Sequence, residues 1–401
     1  MNKNAFIIAE YNPLHNGHKY HIDETRRAGA KTIIVLMSGS FVQRGECALF
    51  PKTERAKAAI EAGADLVLEI PVKYVINGSL YFSRGAVLTA LSTEQNGTIS
   101  FGSESDLSLL TKNAEFLCLN ETKCEIEELC GKTGFSFPRA QQAVVEKTLG
   151  TRFGKAMTMP NNILAIHYIT EAMRLSAPFD FFAVERIGSS HDSLSECGMF
   201  SSAMKLRSEI MSNNSGYGGF MPDFAEKIFS DCISNGKMIS SEKFETASLS
   251  RLKQIKKDDF KAVNGVNQGL ENLFYDAVRK GYSLDSICQC VKSKRFTYSR
   301  LRQICLSSVL GITRDDLDNG ISYINVLGFN DTGKTFLRNA INSSDTLFAG
   351  NLSTAKVLRS EIAVRDIETE EQSEMFYNLC LAEPDPYFSP YKRKPFYRKK
   401  I

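Results

Sequence analysis

The chain has 401 residues, of which 43% are hydrophobic, and its formal net charge is +3 at neutral pH. Because a single hydrophobic core rarely grows beyond ~250–300 residues, this length predicts two domains. The first residues lack the basic start and apolar run of a signal peptide, and no apolar stretch approaches the ~20 residues that span a bilayer. The sequence therefore predicts a globular, cytoplasmic protein that is neither secreted nor embedded in a membrane.

The ten cysteines are dispersed along the chain. A chain of this size does not need disulfides to fold, so we expect reduced thiols. The closest pair, Cys288 and Cys290, is separated by one residue, whereas zinc ligands are usually separated by two to four, and no histidine lies near it. The sequence therefore predicts no metal site built from protein ligands.

Short apolar runs alternate with segments of helical length in the first half of the chain. The first run ends at the turn-forming pair Asn12-Pro13, and the second is rich in β-branched residues, as in buried parallel strands. Such alternation predicts an α/β fold with a doubly wound parallel sheet. The predicted strands are 5–10, 32–37, 65–70, 98–101 and 181–184, and the predicted helices are 17–29, 52–63, 79–91 and 162–175.

Beyond about residue 215, helical patterns dominate and strand-like runs become scarce. The glycine-rich segment 213–219 separates the two halves. We therefore predict one domain at 1–215 and a helical, basic domain at 216–401. Basic residues crowd 392–394 and 398–400, where nucleic-acid binding and a solvated tail are both open explanations.

Three of the five histidines, His15, His18 and His21, lie where the first strand gives way to a helix. A helix N-terminus carries unpaired N–H groups and a partial positive charge, which suits an anion. His15 and His18 are spaced to face one pocket, and Gly17 allows a phosphate or ribose close to the backbone. The two rings could donate hydrogen bonds to the negative charge that accumulates on a triphosphate during an in-line displacement. Each well-placed donor stabilises such charge by ~3 kcal/mol. An ordinary helix cap is the alternative for the pair, and a surface position stays open for His21.

The segment Asn12–His18 is similar to the His-x-Gly-His signature of class I nucleotidyltransferases, and other segments narrow the match. With them the chain resembles the bacterial tRNA(Met) cytidine acetate ligase family. The resemblance covers most of the chain and is densest in 5–210. The segments that carry it are 12–18, 37–46, 62–71, 101–104, 161–164 and 186–188.

The resemblance implies an enzyme that activates acetate with ATP and transfers the acetyl group from acetyl-adenylate to the N4 amine of the wobble cytidine of elongator tRNA(Met). It implies a Rossmann-like sheet of the nucleotidyltransferase type followed by a mainly α-helical, tRNA-binding C-terminal domain. Mg²⁺ is expected to screen the triphosphate, and no protein partner is inferred. His15 and His18 would be catalytic. The implied ATP-binding residues are Ile7, Ile8, Ala9, Glu10, Tyr11, Asn12, Pro13, Leu14, His15, Asn16, Gly17, His18, Lys19, Tyr20, Gly102, Asn161, Asn162 and Arg186.

The loop after the second predicted strand lies at the sheet edge where such folds bind ligands. Arg44 could grip a carboxylate or phosphate bidentately, and a surface arginine is the alternative. Lys52 and Arg55 begin the next helix, where the dipole disfavours cations, so we expect an anion near them. The candidates for acetate or phosphate binding in this loop are Ser38, Gly39, Gln43 and Arg44.

A second group of candidates lies at the start of a later helix. Ser201, Ser202 and Arg207 place hydroxyls and a cation where phosphates bind in nucleotidyltransferases, although such hydroxyls also cap helices in any protein. The sequence departs from the family pattern at Met204-Lys205, where smaller residues are expected, and before His191, which lacks an aromatic neighbour. The missing aromatic residue puts the role of His191 in doubt.

A short window in the C-terminal half mixes cations with aromatic residues, which suits RNA phosphates and unpaired bases. The predicted tRNA-contacting residues are Lys292, Lys294, Arg295, Tyr298, Arg300 and Arg302. The alternative is an amphipathic helix end in which Phe296 and Tyr298 pack inward.

Two other functions compete with acetate ligation. One is adenylyl transfer to a small phosphorylated cofactor precursor, although the long basic C-terminal half favours a macromolecular substrate. The other is an inactive RNA-binding protein that has kept the nucleotide fold, against which the intact His15, Gly17 and His18 argue.

Overall fold

The computed structural model of the protein describes residues 3–186, 202–212, 218–266 and 269–399. The strands are β1 (Asn4–Ala9), β2 (Thr32–Ser38), β3 (Phe41–Val42), β4 (Glu46–Cys47), β5 (Leu66–Ile70), β6 (Gly97–Ser103), β7 (Phe179–Glu185), β8 (Tyr323–Asn330), β9 (Leu347–Ala349) and β10 (Phe396–Arg398). The helices are α1 (Asn16–Arg27), α2 (Lys52–Glu61), α3 (Val72–Val75), α4 (Ser79–Leu91), α5 (Leu107–Cys118), α6 (Asn120–Thr133), α7 (Phe137–Leu149), α8 (Thr151–Ala156), α9 (Pro160–Arg174), α10 (Ala203–Met211), α11 (Asp223–Ser234), α12 (Ser241–Leu252), α13 (Asp259–Ala262), α14 (Leu270–Lys280), α15 (Leu284–Val291), α16 (Tyr298–Leu310), α17 (Arg314–Asp318), α18 (Asp331–Ser343), α19 (Leu352–Ala355) and α20 (Glu361–Leu379).

The central strands are buried on both faces. In β1, Phe6 and Ile8 belong to one hydrophobic cluster, whereas Ala5 and Ile7 belong to a second cluster on the opposite side. Side chains alternate between the two faces of a strand, so an apolar run without polar interruption requires helices on both faces. This is the predicted doubly wound arrangement, and the structure confirms it.

The strand order places a crevice at the centre of the sheet. The order is β10-β8-β5-β2-β1-β6-β7, with β9 beside β8. Strands β5, β2, β1, β6 and β7 are mutually parallel. The chain runs outward from β1 in both directions, so the strand order reverses between β1 and β6. Ligands in such sheets bind outside the carboxyl ends of the strands at this point.

The C-terminal half also contributes strands, which were not predicted from the sequence. β8 pairs with β5 in antiparallel orientation, and β9 and β10 each run parallel to β8. Part of the basic tail therefore belongs to the sheet, and Arg398 forms an ion pair with Glu61 at 3.1 Å. The rest of this half is helical, as predicted. The proposed boundary at 215 falls in 213–217, outside the described residues, and the division into two domains stays a prediction.

Lys52 and Arg55 on α2 both bond to other groups of the protein, and for Lys52 the anion expected nearby is supplied by carboxylates of the chain. The Lys52 Nζ donates to both oxygens of Glu69, at 2.7 and 2.8 Å, and to Glu370 at 2.6 Å, and it lies 3.1 Å from Glu374. All four side chains are buried. The anions that offset the dipole penalty are therefore carboxylates of the chain. The three glutamates have the spacing of a metal site, but the ammonium group of Lys52 already lies among them.

His167 on α9 is buried, and neither ring nitrogen has a hydrogen-bond partner among the described residues. Burial, with a smaller contribution from the charge of Arg174, lowers the pKa of His167 to about 3. The unfolded chain takes up this proton near pH 6.5, so His167 should make stability fall as the pH drops from 6.5 towards 3.

Exchange of His167 for leucine tests this prediction. Below pH 6 the unfolding free energy of both proteins should fall as the pH drops. The fall per pH unit should be about 1.4 kcal/mol smaller in the His167→Leu variant than in the unmodified protein. Urea unfolding at pH 7.0, 6.0 and 5.0 measures both slopes, and carboxylates that titrate in this range contribute equally to the two proteins. Identical slopes would contradict the lowered pKa.

Within the described ranges, no helix is long and apolar enough to cross a membrane.

Candidate nucleotide site

A cavity of about 420 Å³ opens at the carboxyl ends of β1 and β6, where the strand order reverses. The start of α1, the β3–β4 hairpin, α9 and α10 form its walls. Its described lining comprises Ile8, Ala9, Glu10, Tyr11, Asn12, His15, Gly17, His18, Tyr20, His21, Val42, Gln43, Arg44, Glu46, Ser79, Phe82, Phe101, Gly102, Pro160, Asn161, Ile163, Leu164, Tyr168, Val184, Glu185, Arg186, Ser202, Ala203, Met204 and Arg207.

His15 and His18 form the wall at the N-terminus of α1. The Nδ1 of His15 accepts from the backbone N–H of Gly17 at 3.1 Å, and the Nδ1 of His18 accepts from the N–H of His15 at 3.2 Å. A ring nitrogen that accepts carries no proton, so each neutral ring carries its proton on Nε2. The two rings stack with their centroids 3.7 Å apart. The helix cap expected as an alternative role is thus present, and it orients both Nε2–H donors at the same time.

The environment keeps His18 and His21 uncharged. Burial lowers the pKa of His18 well below its usual value, and the neighbouring His15, Arg186 and His21 add to the effect. Burial, followed by the charge of Arg186, lowers the pKa of His21 to about 4. At neutral pH the site therefore offers N–H donors without fixed positive charge on His18 or His21. His21 lines the cavity and contacts the hydroxyl of Ser100 at 2.9 Å, so its position is not on the helix surface.

Buried polar side chains hold the loop between β1 and α1 in place. Arg55 donates to the carbonyl oxygens of Phe50 at 3.0 Å, Glu10 at 2.6 Å and Ser38 at 3.2 Å. Arg55 therefore ties the carboxyl ends of β1 and β2 together. From the other side, Arg207 on α10 donates to the carbonyl of Asn12 at 2.8 Å. The backbone that presents His15 is thus fixed by two guanidinium groups.

The remaining predicted ATP contacts outside the first loop lie near one another. Arg186 packs beside Gly102, where an added Cβ would lie 3.6 Å from the Arg186 side chain. Asn161 lines the cavity. Asn162 is buried instead, accepts from the N–H of Glu104 at 2.9 Å and donates to the Ser105 hydroxyl at 2.9 Å. Of the predicted asparagine pair, Asn161 is therefore the one placed to contact a ligand.

Some predicted ATP-binding residues of the Ile7–Tyr20 segment lie outside the lining. Ile7 and Leu14 are core residues, and Lys19 is paired with Asp23 at 2.6 Å. Their positions support a role in shaping the loop rather than a side-chain contact with a nucleotide. The five members of the segment outside the lining are Ile7, Pro13, Leu14, Asn16 and Lys19.

The candidates for acetate or phosphate binding divide into two groups. Gln43, Arg44, Ser202 and Arg207 line the cavity. Ser38 and Gly39 do not. Gly39 borders the buried glutamate cluster instead, since an added Cβ there would lie 1.9 Å from an oxygen of Glu69. Ser201 and His191 lie outside the described residues.

The predicted tRNA-contacting residues fall into two groups, those exposed to solvent and those bonded to other groups of the protein. Lys292, Lys294 and Arg295 are exposed. Arg300 turns inward and donates to the carbonyl of Asn264 at 2.9 Å. Arg302 and Tyr298 bond to neighbouring side chains.

The aromatic residues of this window support the alternative interpretation in part, because Phe296 and Tyr298 both pack against the core.

Several residues that line the cavity were not predicted from the sequence. Phe82, Phe101, Leu164 and Tyr168 form an apolar wall, and Glu46 is an unpredicted carboxylate in the lining. Glu46 lies within segment 37–46, one of those that carried the family resemblance.

Comparisons with known proteins agree with this geometry. Residues 2–386 match the family model described as HIGH Nucleotidyl Transferase. The tRNA(Met) cytidine acetate ligase of Thermoanaerobacter sp. (strain X514) is 34% identical over 380 residues, covering 90% of this chain and 94% of that protein. The protein of the same name from Caldanaerobacter subterraneus is 32% identical over 396 residues, covering 96% of this chain and 98% of that protein.

Solved structures with the same fold extend the agreement over the full length. The apo crystal structure of Thermotoga maritima TmcAL superimposes with a TM-score of 0.93 at 27% identity, and each chain is covered completely. The crystal structure of the same protein bound with alpha-thio ATP gives a TM-score of 0.90 at 26% identity, again with complete coverage of both chains. Together with the site described above, these matches show that the chain belongs to the tRNA(Met) cytidine acetate ligase family of HIGH nucleotidyltransferases.

Proposed function

We propose that the protein is an ATP-dependent ligase that acetylates the N4 amine of the wobble cytidine of elongator tRNA(Met). In the first step a carboxylate oxygen of acetate bonds to the α-phosphorus of ATP, and pyrophosphate leaves. In the second step the cytidine N4 bonds to the acetyl carbon, the bond from that carbon to the AMP oxygen breaks, and the amine loses one proton. The products are N4-acetylcytidine, AMP and pyrophosphate.

The paired imidazoles at the start of α1 are the observation that carries this proposal. Their Nε2–H groups and the backbone N–H groups of the helix N-terminus suit the charge that develops on a triphosphate in an in-line displacement. Arg186 supplies a permanent cation near them. The ATP analogue bound by the Thermotoga maritima protein supports the same ligand here.

We further propose that Mg²⁺ accompanies ATP, bound mainly by phosphate oxygens and water, as is usual for this ion. No side chain is assigned to it. The proposed place of action is the cytoplasm, where a tRNA substrate is found.

Mass spectrometry of tRNA incubated with the protein, ATP and isotopically labelled acetate tests the function. The expected product carries the labelled acetyl group on the wobble cytidine of elongator tRNA(Met), with initiator tRNA unmodified. Unmodified elongator tRNA would overturn the proposal. In that event, AMP transfer to a phosphorylated cofactor precursor would identify the first competing function. Binding of tRNA without ATP turnover would identify the second.

The exposed basic segment 292–295 should contribute to tRNA affinity. Exchange of Lys292, Lys294 and Arg295 for alanine should weaken tRNA binding and reduce the slope of log K against log salt concentration by up to about 3, because each lost phosphate contact contributes about 1. Filter binding at several salt concentrations measures the slope.

A matched control removes three exposed cations elsewhere, Lys31 before β2 and Lys334 and Arg338 on α18. Both triple variants lose the same net charge, so a general charge effect would appear in both. If the control flattened the salt dependence as much as the 292–295 variant, the segment would have no specific role in binding.

A further inference from the structure

An ion pair connects the rim of the cavity to helix α16. Glu46 lines the cavity, and Arg302 on α16 bonds to its Oε1. The side chains of Glu46 and Arg302 keep 36% and 30% of their surface exposed, respectively. The pair therefore lies at the rim, within reach of a ligand that enters from solvent.

The backbone around Glu46 is fixed by close packing against α16. The turn residue Gly45 has a φ of +79°, and an added Cβ there would lie 2.8 Å from the backbone of both Arg302 and Gln303. Gln303 donates to the carbonyl of Gln43 at 2.7 Å. The β3–β4 hairpin therefore cannot shift without α16, so the position of the Glu46 carboxylate is set by the helix.

The same ion pair faces the predicted RNA surface. Arg302 also donates to Asp285 at 3.0 Å, and its guanidinium lies 5.3 Å from the ring centroid of Tyr298. Tyr298 lies three residues beyond the end of the exposed basic segment 292–295. An RNA strand whose phosphates lie on that segment would bring an unstacked base to the rim of the cavity.

Charged residues are also distributed unevenly between two regions of the cavity. Arg186 lies near His18 and His21 and lowers the pKa of both. Glu10, Glu46 and Arg44 lie instead around Arg207: burial lowers the pKa of Arg207, the two carboxylates raise it and the guanidinium of Arg44 lowers it. One region of the cavity therefore suits phosphates, and another presents carboxylates beside guanidinium groups.

We propose that Glu46 and Arg302 form the subsite that recognises the cytosine to be acetylated, an assignment that rests on the proposed function. The Watson–Crick edge of cytosine presents the N4 amine as a donor and N3 and O2 as acceptors. A carboxylate accepts from such an amine, and a guanidinium donates to the ring acceptors. We assign Oε2 of Glu46 to the amine. Uracil reverses the pattern, because its O4 faces the carboxylate and its N3–H faces the cation.

Binding of two anticodon stem-loop RNAs that differ only in cytosine or uracil at the wobble position tests this subsite. The unmodified protein should bind the cytosine RNA about 10- to 100-fold more tightly, and Glu46→Ala should bring the two affinities close together. Acetate-dependent exchange of pyrophosphate into ATP, measured without RNA, should fall by a much smaller factor in Glu46→Ala than the preference for cytosine does, because Glu46 lines the same cavity. A role of Glu46 limited to holding the hairpin would instead abolish this exchange, because Gln43 and Arg44 belong to the same hairpin.

Asp285→Ala is the matched control, because it releases the other carboxylate bound to Arg302 without removing the proposed acceptor. It should keep the preference for cytosine. An unchanged preference in Glu46→Ala, an equal loss in Asp285→Ala, or loss of exchange in Glu46→Ala would each overturn the subsite. Failure of the proposed function is distinct, since it would show as absence of acetate-dependent exchange in the unmodified protein.

Discussion

Exchange of His18 for alanine is expected to slow adenylate formation about 10²- to 10³-fold. The variant removes one Nε2–H donor that the Nδ1 hydrogen bond orients, and loss of one such preorganised donor has effects of this size. Pyrophosphate release with saturating ATP and acetate measures the rate. Affinity for tRNA should remain nearly unchanged, because the predicted RNA surface lies on other elements.

Two variants make this result specific. His18→Gln keeps an N–H donor on the side chain and should recover part of the rate. His167→Leu removes a histidine that does not line the cavity, and at neutral pH it should form adenylate at close to the normal rate. A His18→Ala variant with undiminished adenylate formation would rule out the assigned role of this ring.

Exchange of Lys52 for methionine should lower the unfolding free energy by about 3–5 kcal/mol at neutral pH. The variant leaves Glu69, Glu370 and Glu374 buried together without the ammonium group that pairs with them, and breaking a buried pair has a cost of this size. Even with Lys52 present, burial and then Glu69 raise the pKa of Glu370 to about 8. Urea unfolding measures the loss, which should shrink as the pH falls and the carboxylates take up protons.

Lys132→Met provides the comparison on the surface. Lys132 pairs with Glu128 on the exposed face of α6, and exposed pairs contribute about 0–1 kcal/mol. Combining Lys52→Met with Glu370→Gln should restore part of the lost stability, since one of the unpaired carboxyls is then a neutral amide. Equal losses for Lys52→Met and Lys132→Met would contradict the account of the cluster.

The first half of the fold could be predicted because its signals are local. Strands β1 and β2 each contain a continuous apolar run, and the structure ends both within one residue of the predicted ends. β8 was missed although Tyr323–Asn330 is rich in apolar residues. Its place beside β5 depends on a contact between segments more than 250 residues apart in the sequence, which no local pattern reports.

Prediction of the site residues has the same limit, because local spacing can be seen in the sequence and contacts between distant segments cannot. The histidines could be predicted because their spacing in the helix places both on one pocket. The inward turn of Arg300 could not, since a cation near a helix start has the same sequence whether it faces RNA or the carbonyl of Asn264. The contacts of Glu370 and Glu374 with Lys52 could not be predicted either, because they form only when α20 and α2 meet in the folded protein.

Exchange of labelled pyrophosphate into ATP, in the absence of tRNA, tests the central claim most directly. If His15 and His18 serve an enzyme that joins acetate to AMP, exchange should require acetate and should be lost in His18→Ala. Exchange that proceeds equally well without acetate, or that never occurs at any concentration of ATP and acetate, would contradict this account of the cavity.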